Sequence, residues 1–153
     1  MARDASSRFL WPPTIYGGLA LAAWGLERLA PLALPLPERL RWLGWALVGA
    51  SLILSGAAEL AFLRAGTATL PTSPTTAIVT SGVYRVTRNP MYLAMTAALI
   101  GLGLALASGW FWIAAPVAVA LVTRLAIERE EAYLERKFGA AYLSYKARVR
   151  RWL

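Results

Sequence analysis

The chain contains neither histidine nor cysteine, so its chemistry has to come from carboxylates, guanidinium groups, hydroxyls and backbone. Without histidine it lacks the commonest general base near neutral pH and the commonest metal ligand. Without cysteine, disulfides, thiolate metal sites and thiol nucleophiles are excluded. Two stretches still gather groups able to hold charge. The first reads Thr80-Ser81-Gly82-Val83-Tyr84-Arg85-Val86-Thr87-Arg88-Asn89-Pro90-Met91-Tyr92. Pro90 fits the first turn of a helix, with Asn89 as its N-cap. Such a helix start offers free N–H groups and a positive dipole end beside Arg88, which favours a carboxylate or phosphate. A capped helix whose arginines touch lipid phosphate accounts for the same residues.

The second stretch is 123–138, where Ile127, Leu134 and Phe138 mark one apolar helical face. Glu130 and Glu131 each stand three or four residues from Ile127 and from Leu134, so both project from or beside that face. Glu128 and Glu135 have an easier route to water. A carboxylate on a buried face near a bilayer needs a cation or donors, and it is a functional candidate by default. A structural ion pair with Arg124 or Arg129 is the plain alternative. Either way, a positive ligand suits this spot.

The elements that must position these groups follow from composition. The 153 residues are 58% hydrophobic and 16% charged, against roughly 45–50% and 25% in soluble domains. A domain of ~150 residues cannot bury that excess, which argues against both disorder and a conventional soluble fold. One domain spanning 1–153 is expected. Apolar runs cover 10–36, 40–63, 91–107 and 110–127, and a spanning helix needs about 20 such residues, with a range of ~17–25. All four qualify. Only Ser108 and Gly109 separate the last two, which predicts a tight hairpin. The first run is long and carries Glu27 and Arg28, so it does not read as a cleavable signal peptide.

Charge orients the bundle. Arg3 and Arg8 precede the first run, Arg64, Arg85 and Arg88 flank the middle segment, and the tail from Glu128 holds seven basic residues against four acids. Positive-inside counting puts the N-terminus, the middle segment and the tail in the cytoplasm. Arg28, Arg39 and Arg41 fall on the other side, partly offset by Glu27 and Glu38. The net charge of +8 flanks apolar spans, so membrane lipids rather than nucleic acid are the expected partner. The sequence sets no oligomeric state. Most tryptophans sit near helix ends as interface anchors, and Pro31, Pro35 and Pro37 mark a turn. Gly17, Gly18, Gly44 and Gly49 are expected to let helices pack closely.

Loop 64–90, with Pro71 and Pro74, is long enough to be functional. Residues 128–150 read as an amphipathic helix broken near Gly139. It should lay Leu134, Phe138, Tyr142 and Tyr145 on the bundle and turn Arg136, Lys146 and Arg148 to headgroups. The expected fold is all-α: an integral membrane four-helix bundle with a cytoplasmic C-terminal amphipathic helix, loop and tail together forming the site.

Ser81-Gly82-Val83-Tyr84, Arg88-Asn89-Pro90-Met91-Tyr92, an apolar hairpin, Glu130-Glu131 with Leu134, then Phe138-Gly139, Tyr142 and Tyr145 follow in register. This ordered set resembles the isoprenylcysteine carboxyl methyltransferases and the related phospholipid methyltransferases, over about residues 64–150. The resemblance implies S-adenosylmethionine as methyl donor at the cytoplasmic helix ends. Its contacts would fall on Ala77, Ile78, Val79, Tyr84, Asn89, Pro90, Met91, Tyr92 and Glu130, with Glu131 beside them. Arg88 and Arg124 are the candidate catalytic residues, as cations on the acceptor side. Gly101-Leu102-Gly103 resembles the GxG of the phospholipid branch, but reads as a packing feature of the third helix.

Two departures stand out. Asn89 occupies the family's usual histidine position, where it can donate a hydrogen bond but not titrate. Ala126 stands four residues before the first glutamate, where the prenylcysteine enzymes carry arginine; Arg124 lies two residues earlier.

Methyl transfer from a sulfonium asks mainly for positioning and exclusion of water. A carboxylate or thiolate acceptor needs no base; an amine or hydroxyl would, and Glu131 or Tyr92 is available. The expected function is S-adenosylmethionine-dependent methylation of a lipophilic small-molecule or lipid-anchored acceptor. The competing readings are an NADPH enzyme of the sterol-reductase type and a non-enzymatic membrane scaffold.

Overall fold

The structure, a computed structural model, describes residues 12–66 and 77–153. The arm with Arg3 and Arg8, the start of the first apolar run with Trp11, and Pro71 and Pro74 of the long loop lie outside the described residues. The described residues form helices joined by turns, with no strand beyond the single bridges Ala33–Ser108 and Thr87–Arg150.

Helix α1 is Pro12–Leu29 and α2 is Glu38–Arg64. The first helix ends well before residue 36, correcting the expected span. Proline cannot continue a helix, and the stretch holding Pro31, Pro35 and Pro37 is instead stitched to the opposite hairpin. Leu34 N donates to Ala107 O at 2.7 Å, and Gly109 N donates to Leu32 O at 2.8 Å.

That hairpin joins α3, Pro90–Ala105, to α4, Gly109–Val122. Ala107 adopts φ 53°, and Ser108 is fully buried, its N–H donating to Gly103 O at 2.9 Å. Ser108 Oγ donates to the Glu27 carboxylate, which also accepts from Leu32 N at 3.3 Å. The acid inside the first apolar run is thus a satisfied acceptor that ties the end of α1 to the α3–α4 hairpin. Trp110 Nε1 donates to Ala30 O at 2.8 Å, tying α4 to the end of α1.

Helices α2 and α3 meet at glycines. A Cβ on Gly44 would lie 2.4 Å from Ala105 N and 2.6 Å from Gly101 O, and one on Gly101 would lie 2.9 Å from Gly44 O. The Gly101-Leu102-Gly103 motif is therefore packing, since Gly103 in turn abuts the Trp112 ring. The same expectation fails for Gly17, Gly18 and Gly49, which face open space. The main core gathers Tyr16, Leu99, Phe111, Ala118 and Val122 from α1, α3 and α4.

The outer faces are apolar. Only 17% of the apolar window of α2 is buried, and Leu52 and Ile53 are 68% and 75% exposed. A soluble protein's core helix hides such a surface; patches of this kind mark a membrane or partner. Two helices, Glu38–Arg64 and the continuous Gly109–Phe138, are long and apolar enough to cross a membrane, while Pro90–Ala105 is shorter.

Helix α4 passes through a π turn, Thr123–Ile127, directly into α5, Glu128–Phe138. A π turn holds one extra residue, which rotates the helix beyond it by about 100° relative to an unbroken α-helix. The break expected near Gly139 is present: Gly139 has φ 51° and α6 follows at Ala140–Arg148. Tyr142 and Tyr145 are buried and Leu134 and Phe138 half-buried. Lys146, expected to face headgroups, instead pairs with the Glu135 carboxylate and approaches Glu131 at 3.9 Å.

Candidate functional site

A cleft opens where the end of α2, the start of α3 and the α5–α6 pair converge. Phe62, Ala77, Ile78, Val79, Tyr84, Arg88, Asn89, Ile127, Glu130, Glu131, Leu134, Tyr142 and Tyr145 line it. Each wall has a local cause. Gly82 at φ 58° opens the short 3-10 turn Gly82–Arg85, which swings Tyr84 inward. The Tyr84 ring meets Phe62 edge-on at 5.4 Å, and its carbonyl accepts the Tyr145 hydroxyl at 2.7 Å. The π turn sets the phase of α5, so Ile127, Glu130, Glu131 and Leu134 share the cleft.

The segment leading into α3 is held from the tail. Arg88 N donates to Arg150 O at 2.9 Å, and Thr87 Oγ1 donates to Arg151 O at 3.1 Å. Asn89 Nδ2 also donates to Arg151 O, at 2.9 Å. Pro90 opens α3 and Asn89 stands at its N-cap, both as expected, but the Asn89 side chain makes no capping hydrogen bond. An amide suits its actual role, because it donates at any pH.

The two adjacent glutamates differ. Glu131 is buried, with Arg88 Nη1 at 2.9 Å from Oε1. Arg151 grips it from the other side, Nε at 3.1 Å from Oε1 and Nη2 at 2.8 Å from Oε2. Its close neutralising partners are therefore Arg88 and Arg151, with Lys146 farther off at 3.9 Å, rather than the expected Arg124 or Arg129. Bound on both oxygens, Glu131 is no free base. Among the described residues Glu130 has one hydrogen-bond partner, the Tyr92 hydroxyl, which donates to Oε2 at 3.3 Å. Among the described residues no cation stands within ion-pairing distance of it. Its accessible surface belongs to the cleft: by area it counts as exposed, yet protein packed around the carboxyl desolvates it and raises its pKa. The Tyr92 bond opposes that rise, and the Glu131 charge adds to it.

The tyrosines are neutral hydroxyls here. Burial raises Tyr84, with the Glu130 charge adding to it, and burial pushes Tyr145 up to about 12. Burial also raises Tyr142, against the Arg88 bond at 3.4 Å. Arg88 itself is nearly enclosed, and its Nε is buried without a hydrogen-bond partner. No group of residues able to hold a metal ion occurs among the described residues.

The cleft thus brings together Ala77, Ile78, Val79, Tyr84, Arg88, Asn89, Glu130 and Glu131. Pro90 is buried behind it, and Met91 packs on the cluster of Ala58, Ala61, Val79 and Tyr84. Tyr92 reaches the site only through Glu130. Arg124 lies elsewhere, on a wide apolar groove formed by α3 and α4 with Thr96, Ile100, Trp112, Pro116, Val119 and Glu128. Ala126 is fully buried in the core, where no guanidinium would fit. Sequence reasoning missed Phe62 and Arg151. The only signal for Phe62 is an aromatic one half-turn before the end of α2; Arg151 sits in a basic run that resembles any headgroup anchor.

A match to the family model of the phospholipid methyltransferases covers residues 40–141, from α2 into α6. An uncharacterised protein of Haemophilus influenzae is 40% identical over 63 residues, 41% of this chain and 100% of that protein. No solved structure matches. The matched region carries the hairpin, the start of α3, the π turn, both glutamates and all of the cleft lining except Tyr142 and Tyr145: the chain belongs to the phospholipid methyltransferase family, enzymes that methylate lipid-like substrates.

Proposed function

We propose that this protein transfers a methyl group from S-adenosylmethionine to a lipophilic, membrane-associated acceptor. The observation that carries the reading is Glu130, a carboxylate facing an aromatic-walled cleft with no cation in ion-pairing distance among the described residues. Such a group selects a ligand bearing a cationic amine. Phe62, Tyr84, Val79 and Ile127 supply an apolar wall for an adenine. The residues fit the cofactor. The chemistry it supplies when bound is an electrophilic methyl group on a sulfonium. The chain's part is to hold, orient and dry the reactants.

Glu130 binds the ammonium end and Tyr92 fixes the carboxylate's orientation. Ala77, Ile78, Val79 and Asn89 close the wall of the cleft. The acceptor approaches from the lipid side, where Arg124 and Glu128 stand at the charged end of the apolar groove. In this reading all four apolar helices span the bilayer, and the cleft and both chain ends face the cytoplasm. A single cysteine at exposed Ala147 should label from the cytoplasmic side; labelling from outside overturns the orientation.

Titration calorimetry of the purified protein tests the cofactor. S-adenosylmethionine and S-adenosylhomocysteine should bind and NADPH should not. Binding of NADPH alone would establish a reductase, and binding of none of the three would leave a scaffold. A methyl-acceptor screen over lipids, quinones, thiols and prenylated cysteine then identifies the acceptor.

A further inference from the structure

One residue outside the cleft lining joins its two sides. The Arg151 carbonyl accepts from Thr87 Oγ1 and Asn89 Nδ2, at the entry to α3. Its guanidinium bonds both oxygens of Glu131, on α5. The Glu131 side chain is 8% exposed and that of Arg88 9%, whereas Arg151 is 34% exposed and closes the pair from the solvent side. A planar fork is the side chain suited to gripping a carboxylate at two points.

We propose that Arg151 is a positioning residue of the cofactor site: it commits Glu131 to a fixed ion pair, holds Arg88 against the wall, and leaves Glu130 to meet the cationic ligand. This rests on the function proposed above. The charge arithmetic explains why the second cation matters. Glu131 stands next to Glu130, and a poorly compensated carboxylate there competes for the ligand's amine and opposes ionisation of Glu130. Arg88 meets Glu131 at Oε1, and Lys146 stands 3.9 Å from Oε2, so Arg151 supplies the close contact to the second oxygen.

The test compares wild type, Arg151→Gln and Arg151→Lys. All three keep the main-chain carbonyl, so the clasp on Thr87 and Asn89 is unchanged. Affinity for S-adenosylhomocysteine is measured by calorimetry from mildly acidic to mildly alkaline pH. Arg151→Gln should weaken binding about tenfold at neutral pH and move the acid-side loss of binding to higher pH. Arg151→Lys, which retains charge without the fork, should recover part of both. Adding Glu131→Gln to Arg151→Gln should return the acid-side midpoint toward wild type, because the competing carboxylate is gone. If Arg151→Gln only lowers thermal stability, with affinity and pH midpoint unchanged, Arg151 is an anchor and the proposal fails. A wild-type protein that ignores S-adenosylhomocysteine overturns the cofactor reading itself, and this proposal with it.

Discussion

Glu130 and Glu131 are consecutive on one helix, yet the first meets a single tyrosine hydroxyl at 3.3 Å and the second two arginines at 2.9 and 2.8 Å. Side chains one position apart point about 100° apart on a helix. Here that angle separates a carboxylate closed into an ion pair from one open to a ligand.

Replacing the open one should therefore hurt binding most. A hydrogen bond to a charged group is worth about 1.5–3 kcal/mol, so Glu130→Gln should weaken S-adenosylhomocysteine binding by about ten- to a hundredfold. Tyr92→Phe removes only the neutral hydroxyl that orients Glu130 and should cost less. Glu135→Gln, which breaks a half-exposed pair with Lys146, should stay within a few-fold of wild type. Calorimetric affinities for the three variants check the ranking, and wild-type binding by Glu130→Gln would remove Glu130 from the site.

Acidity gives an independent handle on the same residue. Desolvation raises Glu130 above its ordinary value of 4.5, so the carboxyl takes its proton at a higher pH than an exposed glutamate. The protonated form cannot pair with an ammonium. Binding should thus be full above the raised pKa and fall as pH drops through it, with proton release on binding in that range. Folding runs the other way: a carboxyl whose folded pKa is raised favours the folded state below its unfolded pKa and loses that contribution as pH rises. Glu130→Gln should then melt higher than wild type at neutral pH while binding worse. Melting curves and a binding pH profile test the two signs together; a Glu130→Gln protein that keeps the acid-side loss puts the titrating group elsewhere.

Much of this was legible because membrane helices are written in runs of single-residue chemistry. The α3–α4 hairpin showed itself in two small residues between apolar stretches, and both glutamates in their three-and-four spacing from Ile127 and Leu134. The π turn was not legible, since Thr123–Ile127 carries no residue type that demands it. Nor were the partners of Glu131. Helical spacing proposes neighbours such as Arg124 and Arg129, whereas the actual cations arrive from residues 88 and 151, brought near by the α3 entry and the tail. Arg151 adds main-chain bonds to Thr87 and Asn89 across 64 and 62 positions. No local pattern encodes such a clasp. Apolar composition alone overruns the end of α1 at Leu29, because Pro31, Pro35 and Pro37 stop the helix without adding polar residues.

The α2–α3 contact predicts a contrast between two glycines of one helix. A methyl at Gly44 would strike backbone atoms of α3 at 2.4 and 2.6 Å, and backbone yields only if the helices separate. Overpacking of this kind costs about 1–3 kcal/mol, so Gly44→Ala should lower the melting temperature in detergent. Gly49 has nothing within 4 Å, and Gly49→Ala should gain about 0.5–1 kcal/mol by limiting the unfolded backbone. Equal effects at both positions would mean that α2 and α3 do not pack as described.

Variants at Arg124 should separate acceptor recognition from cofactor binding. This arginine is exposed on the apolar groove of α3 and α4, beside Thr123 and Glu128, and makes no ion pair among the described residues. Arg88 is nearly buried and committed to Glu131. An anionic headgroup or carboxylate arriving from the lipid therefore finds Arg124 free and Arg88 engaged. Once an acceptor is known, Arg124→Gln should raise its KM several-fold, partial exposure reducing the full value of a charged bond, and leave S-adenosylhomocysteine affinity as in wild type. Arg88→Gln should show the reverse, because it strips Glu131 of a buried partner at the cofactor wall. Arg124→Lys, which keeps the charge, should sit near wild type. Steady-state KM for the acceptor beside calorimetric affinity for the cofactor resolves the two arginines, and an Arg124→Gln protein with unaltered acceptor KM would show that the groove plays no part in acceptor recognition.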